Sequence, residues 1–164
     1  MTDKYLEAEN KGRKMFQEDF GHIFNIEYTT GRCDSVDLYM TAATDPSRTY
    51  VGEIKAYLNP QHKRPYTKFK DYMIDFDKLR HIKKIGLNEN RTPVLISYFS
   101  DYCLVWDLNS TKWESTGTWE LVNCKGVDYG TKEYEFMAHL TIEDAIYKKP
   151  MEYEERDNWE IGEG

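Results

Sequence analysis

The chain has 164 residues, 40% hydrophobic and 15% aromatic, enough for one domain with a core, which excludes a disordered chain. Its 29 acidic and 22 basic residues leave a net charge of −7, which argues against a broad nonspecific nucleic-acid coat but not against a local basic patch with a bound metal. Cys33, Cys103 and Cys124 are too widely spaced for a disulfide framework or a C-x-x-C zinc site. With no signal-peptide core at the N-terminus and no run near roughly 18 apolar residues, a cytoplasmic chain without membrane spans is expected.

Residues 3–20 read as an amphipathic helix. Leu6, Met15, Phe16 and Phe20 mark its apolar stripe, and Gly21 is its stop. Glu9, Gly12 or Arg13, Phe16 and Phe20 share a face at spacings of three and four, which carries Glu9 toward the interior. Phe24 to Thr29 is a short strand. Val36 to Ala42 and Thr49 to Leu58 are two more, joined by the turn formers ATDPSR.

Asp37, Glu53 and Lys55 interrupt these otherwise apolar strands. Side chains alternate faces along a strand, so Glu53 and Lys55 share one face. A turn centred on Asp45 and Pro46 brings Asp37 within cross-strand reach of both. Two nearby carboxylates repel unless a cation lies between them. Mg²⁺ is content with one or two carboxylates, several waters and a phosphate, and the Ile54 carbonyl is a further oxygen ligand. A lysine beside it can orient or deprotonate a water, or oppose charge gathering on phosphorus. The other reading of the same residues is a structural salt-bridge cluster.

Beyond Lys55 the loop AYLNPQHKRPYTKFK is the most basic stretch. His62, Lys63, Arg64, Lys68 and Lys70 alternate with Tyr57, Tyr66, Phe69 and Tyr72, offering cations to phosphates and rings to bases, or packing as a solvated loop. Tyr66 to Ile85 reads as a second helix with Gly86 as its stop, and Leu87 to Thr92 as a polar loop. Asp75 and Lys78, three apart on that helix, read as a surface pair. Pro93–Phe99 and Tyr102–Leu108 are strands around a Ser100-Asp101 turn, the first apolar enough to be covered on both faces. Trp119–Val122 and Tyr134–Ala138 are weaker strand candidates, and Thr141–Ala145 resembles a capping box. Residues 1–149 read as one domain and residues 150–164 as an acidic tail expected to be flexible. No phosphate-binding glycine loop, zincin motif or nucleophile elbow is present, and His22, His62, His81 and His139 lack metal-ligand spacing.

Asp37, a turn, then Glu53-Ile54-Lys55 resembles the D…(D/E)-x-K signature of the PD-(D/E)XK nuclease superfamily, which includes restriction endonucleases and archaeal Holliday-junction resolvases. The resemblance spans about residues 3–107 in element order, with Val36 where the motif often has proline. It implies an α/β fold with an αβββαβ core, a mixed central sheet flanked by helices. It implies a Mg²⁺-dependent deoxyribonuclease, with Mn²⁺ able to substitute, that leaves a 5′-phosphate. By the same resemblance Asp37, Glu53 and Glu9 hold the metal, Lys55 handles the water, and Lys78, in a pattern like that of small phage-type members, meets phosphate or pairs with a site carboxylate; Lys63, Arg64 and Lys68 of the basic loop are then expected to receive DNA. Its small size suits a phage or mobile-element enzyme in the host cytoplasm, and relatives of this kind often cut as homodimers. Two rivals are an inactive nuclease-like DNA-binding module and an acidic, DNA-mimicking inhibitor, the latter favoured by the charge and the tail.

Overall fold

The computed structural model describes residues 4–30, 36–58, 72–110, 112–123 and 132–151. In chain order it contains α1 (Lys4–Phe20), β1 (Phe24–Tyr28), β2 (Leu38–Ala42), β3 (Thr49–Ala56), β4 (Tyr72–Asp75), α2 (Phe76–Glu89), β5 (Thr92–Tyr98), β6 (Tyr102–Asp107), β7 (Thr118–Asn123), β8 (Lys132–Leu140) and β9 (Tyr147–Pro150). One-turn 3-10 helices lie at Lys112–Ser115 and Ile142–Asp144. The protein is α/β. Six strands form a mixed sheet in the order β1-β2-β3-β5-β6-β9, in which only β3 and β5 run parallel. A second, antiparallel sheet has the order β4-β8-β7. Among the described residues no helix is long and apolar enough to cross a membrane.

The large sheet is covered on both faces. Alternation along β5 and β6 sends Leu95, Leu104 and Trp106 to one core, with Leu79 and Ile82 of α2 and Tyr72 and Ile74 of β4. It sends Val94, Ile96, Cys103 and Val105 to the other, against Met15 and Phe16 of α1. Double coverage explains why β5 is apolar without alternation. α1 lies close on β3 because Gly12 has no side chain: a Cβ there would stand 2.9 Å from Ile54 Cγ2 and 3.0 Å from Ala56 Cβ. Gly21 ends α1 as expected, its N–H donating to Gln17 O at 2.8 Å.

The second helix differs from the sequence expectation at both ends. The described part of its expected first half, Tyr72–Asp75, is a strand paired with β8, and α2 begins at Phe76 under an Asp75 cap that accepts from the Asp77 N–H at 3.0 Å. Gly86 does not stop the helix. It is buried in the last turns, where a Cβ would meet Arg91 O at 2.7 Å, and the stop is Asn90 in the left-handed conformation (φ 55°). The expected loop at 87–92 is therefore helical as far as Glu89. The capping box at Thr141 is not made either: its hydroxyl donates to the Asp144 side chain and accepts no N–H from the one-turn helix that follows.

Candidate functional site

The hairpin register decides what meets Glu53. β2 and β3 pair from Leu38 opposite Gly52 to Thr41 opposite Thr49, and the regular pairing stops at Leu38, because the Asp37 N–H also turns to Gly52 O. Asp37 is not inside the strand, as the sequence suggested, but immediately before it. The reason is local. Its backbone N–H donates to Gly52 O at 2.9 Å, and its own carboxylate Oδ2 accepts the Ile54 N–H at 2.8 Å. The side chain takes the place of the next backbone acceptor, and the ladder ends there. The Thr29 N–H donating to Asp37 O at 2.8 Å fixes the residue from the β1 side.

Charges from the hairpin and from both helices meet at this point. From α1, Arg13 Nη2 stands 3.4 Å from both Glu9 Oε1 and Asp37 Oδ1, while Nη1 donates to Thr29 O at 2.9 Å and the guanidinium lies over the Tyr28 ring. From β3, Lys55 Nζ is 3.4 Å from Glu53 Oε1. From α2, Lys78 Nζ is 2.8 Å from Glu53 Oε2. Glu53 is only 7% exposed, and Oε2 has no directed hydrogen bond; the Lys78 contact is an ion pair by distance without hydrogen-bond alignment. The buried carboxylate is thus compensated by two ammonium groups, Lys55 at one oxygen and Lys78 at the other.

The electrostatics link these groups. Burial, then the Asp37 charge, raises the Glu9 carboxyl above its ordinary value, and Arg13 pulls the other way without prevailing. Burial opposes the Lys55 ammonium, but Glu53 above all, with Tyr57 and Asp37, outweighs it and holds the ammonium above its usual range. Next to Lys55 runs a chain of hydroxyls. Tyr57 and Tyr72 oxygens are 2.8 Å apart, and Tyr72 reaches Ser97 Oγ at 3.1 Å. Ser97 lies opposite Lys55 in the β3–β5 register and is fully buried. Burial holds the Tyr72 phenol well above its ordinary value, so it stays protonated.

Glu9, Asp37, Glu53, Lys55 and Lys78 are thus brought together, and Lys78 pairs with a site carboxylate rather than with Asp75, whose side chain caps α2. Lys63, Arg64 and Lys68 lie outside the described residues, as do Cys33 and Cys124. Sequence reasoning missed Arg13 as a site residue; its spacing of four from Glu9 was the available signal. No family model and no curated protein matches this chain. Among the described residues no group of three or more His, Cys, Asp and Glu side chains is arranged to hold a metal ion. Mg²⁺ does not need one, since one or two carboxylates, waters and a phosphate complete its shell. The carboxylate oxygens of Asp37 and Glu53 are the donor type such a hard cation takes, with Lys78 now occupying the side of Glu53 Oε2.

Proposed function

We propose that this protein is a divalent-metal-dependent deoxyribonuclease, a phosphodiester hydrolase with a PD-(D/E)XK-type site on a restriction-endonuclease-like core. The observation that carries the reading is the gathering of Asp37, buried Glu53 and Lys55 at one point, with Glu9 and Lys78 reaching it from separate helices. The succession α1, β1, β2, β3, then α2 and the parallel β5 supports the reading, although β4 of the second sheet is inserted before α2.

Asp37 and Glu53 would hold Mg²⁺ or Mn²⁺ with waters and the substrate phosphate, and Glu9 would reach the ion only after leaving Arg13. The ion would supply Lewis acidity toward the phosphate and acidity to a bound water. Asp37 is held for this by the Ile54 N–H, so its carboxylate is positioned before any ligand arrives. Lys55 orients the attacking water, and its ammonium opposes the charge that gathers on the phosphoryl oxygens. The water oxygen bonds to phosphorus and gives a proton to solvent, the bond to the 3′ oxygen breaks and that oxygen takes a proton from solvent, and the products are a 5′-phosphate and a 3′-hydroxyl. Two such sites in a homodimer would cut both strands of a duplex.

The test incubates wild type and Lys55→Ala with Mg²⁺ or Mn²⁺ and linear, single-stranded and branched DNAs. Metal-dependent cleavage by the wild type, lost in Lys55→Ala, is the expected result. Equal products from both proteins, or none from either, overturns the reading. Metal-independent binding without cleavage points to a DNA-binding module instead.

A further inference from the structure

Among the described residues the site is already balanced in charge. Three carboxylates (Glu9, Asp37 and Glu53) face three fixed cations (Arg13, Lys55 and Lys78), each cation within 3.4 Å of a carboxylate oxygen. Two of the three cations come from helices and not from the strands that carry Asp37, Glu53 and Lys55. Glu53 is nine-tenths buried, and its Oε2 still lacks a directed hydrogen bond with Lys78 beside it. A divalent cation arriving alone would join three resident positive charges, with no net negative charge in this set to receive it. A phosphate arriving alone would meet lysines and an arginine already engaged by carboxylates. Each ligand lacks what the other brings.

We propose that Arg13, Lys55 and Lys78 form a built-in counter-charge, so that a divalent cation and a nucleic-acid phosphate bind this site together rather than independently. The inference rests on the nuclease reading for the identity of the phosphate, but the counter-charge itself does not. When both ligands bind, Arg13 Nη2 is freed from Glu9 and Asp37, and Lys78 from Glu53, to face the phosphate, while the carboxylates turn to the ion. The coupling is reciprocal: whatever factor the duplex adds to metal affinity, the metal adds to duplex affinity. Removing one resident cation leaves the carboxylates in excess and makes the metal bind without its partner.

The experiment measures Mn²⁺ binding by electron paramagnetic resonance for the wild type and Lys78→Gln. Each is titrated alone and with a phosphorothioate-linked duplex, which keeps the phosphate charge and resists hydrolysis. Lys78 is partly exposed on α2, so its replacement should leave the fold intact, which a thermal melt checks. Arg13→Gln serves as a second variant. The expected result is weak Mn²⁺ binding by the wild type alone, tightened about tenfold or more by the duplex, and Mn²⁺ binding by Lys78→Gln alone about tenfold tighter than wild type. Variants no tighter for Mn²⁺ than wild type overturn the counter-charge. A wild type that binds duplex but gains no Mn²⁺ affinity from it overturns the coupling. A wild type that takes no duplex at any Mn²⁺ level overturns the nuclease reading instead, and the variant comparison still decides the counter-charge.

Discussion

The proposed function gives Asp37 a second job beside its structural one, and two substitutions separate them. Its carboxylate accepts the Ile54 N–H at 2.8 Å in a residue only 3% exposed, and it pairs with Arg13 at 3.4 Å. Asp37→Ala leaves the Ile54 N–H without an acceptor in a place water barely reaches, which costs about 1–3 kcal/mol. Loss of the partly exposed Arg13 pair adds roughly 0.5–1 kcal/mol. For a chain of this size each kcal/mol lowers Tm by about 2–4 °C, so a fall on the order of 5–10 °C is expected. Asp37→Asn keeps an oxygen for the Ile54 N–H and loses only the charge, so its expected cost is roughly 1 kcal/mol or less. Both variants should lose metal-dependent DNA cleavage. Thermal melts by circular dichroism and a nuclease assay on the same samples give the comparison. Asp37→Ala melting with the wild type, or Asp37→Asn cutting DNA at the wild-type rate, would refute this division of roles.

Two more outcomes follow from the same geometry. A Cβ at Gly52 would stand 2.6 Å from Val94 O and 2.7 Å from Val94 Cγ2. Gly52→Ala must therefore push β3 from β5 beside Glu53, at about 1–3 kcal/mol, read as a Tm lower by several degrees; an unchanged Tm contradicts the packing. Glu9 concerns pH. Its folded pKa is raised above 4.5, so the folded state holds the proton more tightly, and metal-free stability falls as pH rises from 4.5 through the raised value. Glu9→Gln should raise the neutral-pH Tm of the metal-free protein and lose that advantage below 4.5. A lower neutral-pH Tm for this variant would mean that the Arg13 pair outweighs burial.

Periodicity made much of the fold legible. Met15, Phe16 and Phe20 repeat at helical spacing and are buried, and the apolar run of β5 is covered on both faces. β4 was hidden because Met73, Phe76 and Leu79 extend the helical spacing backwards through a four-residue strand; Tyr72 and Ile74 also fit alternation, and pairing with β8 decides between them. Gly86 looked like a stop because glycine is common there, yet it is small to let the Arg91–Pro93 backbone approach. β9 carries little signal of its own: a single residue pattern, Tyr147 half-buried and the rest exposed, is fixed by pairing with β6. At the site, strand alternation and a short turn were enough to group Asp37, Glu53 and Lys55. Arg13 was not legible as a partner of Asp37, because a cation four residues from a glutamate on a helix usually marks a solvated pair. Only the packing of α1 on β3 turns that pair toward the hairpin.

The most direct measurement is anomalous diffraction from crystals of the protein grown with Mn²⁺ and the phosphorothioate-linked duplex. An anomalous peak bounded by the Asp37 and Glu53 carboxylates, with a phosphate beside Lys55, is the expected result. Bound duplex with no ion at these two side chains, or with the ion held elsewhere, would contradict the assignment of this cluster as a metal-dependent nuclease site.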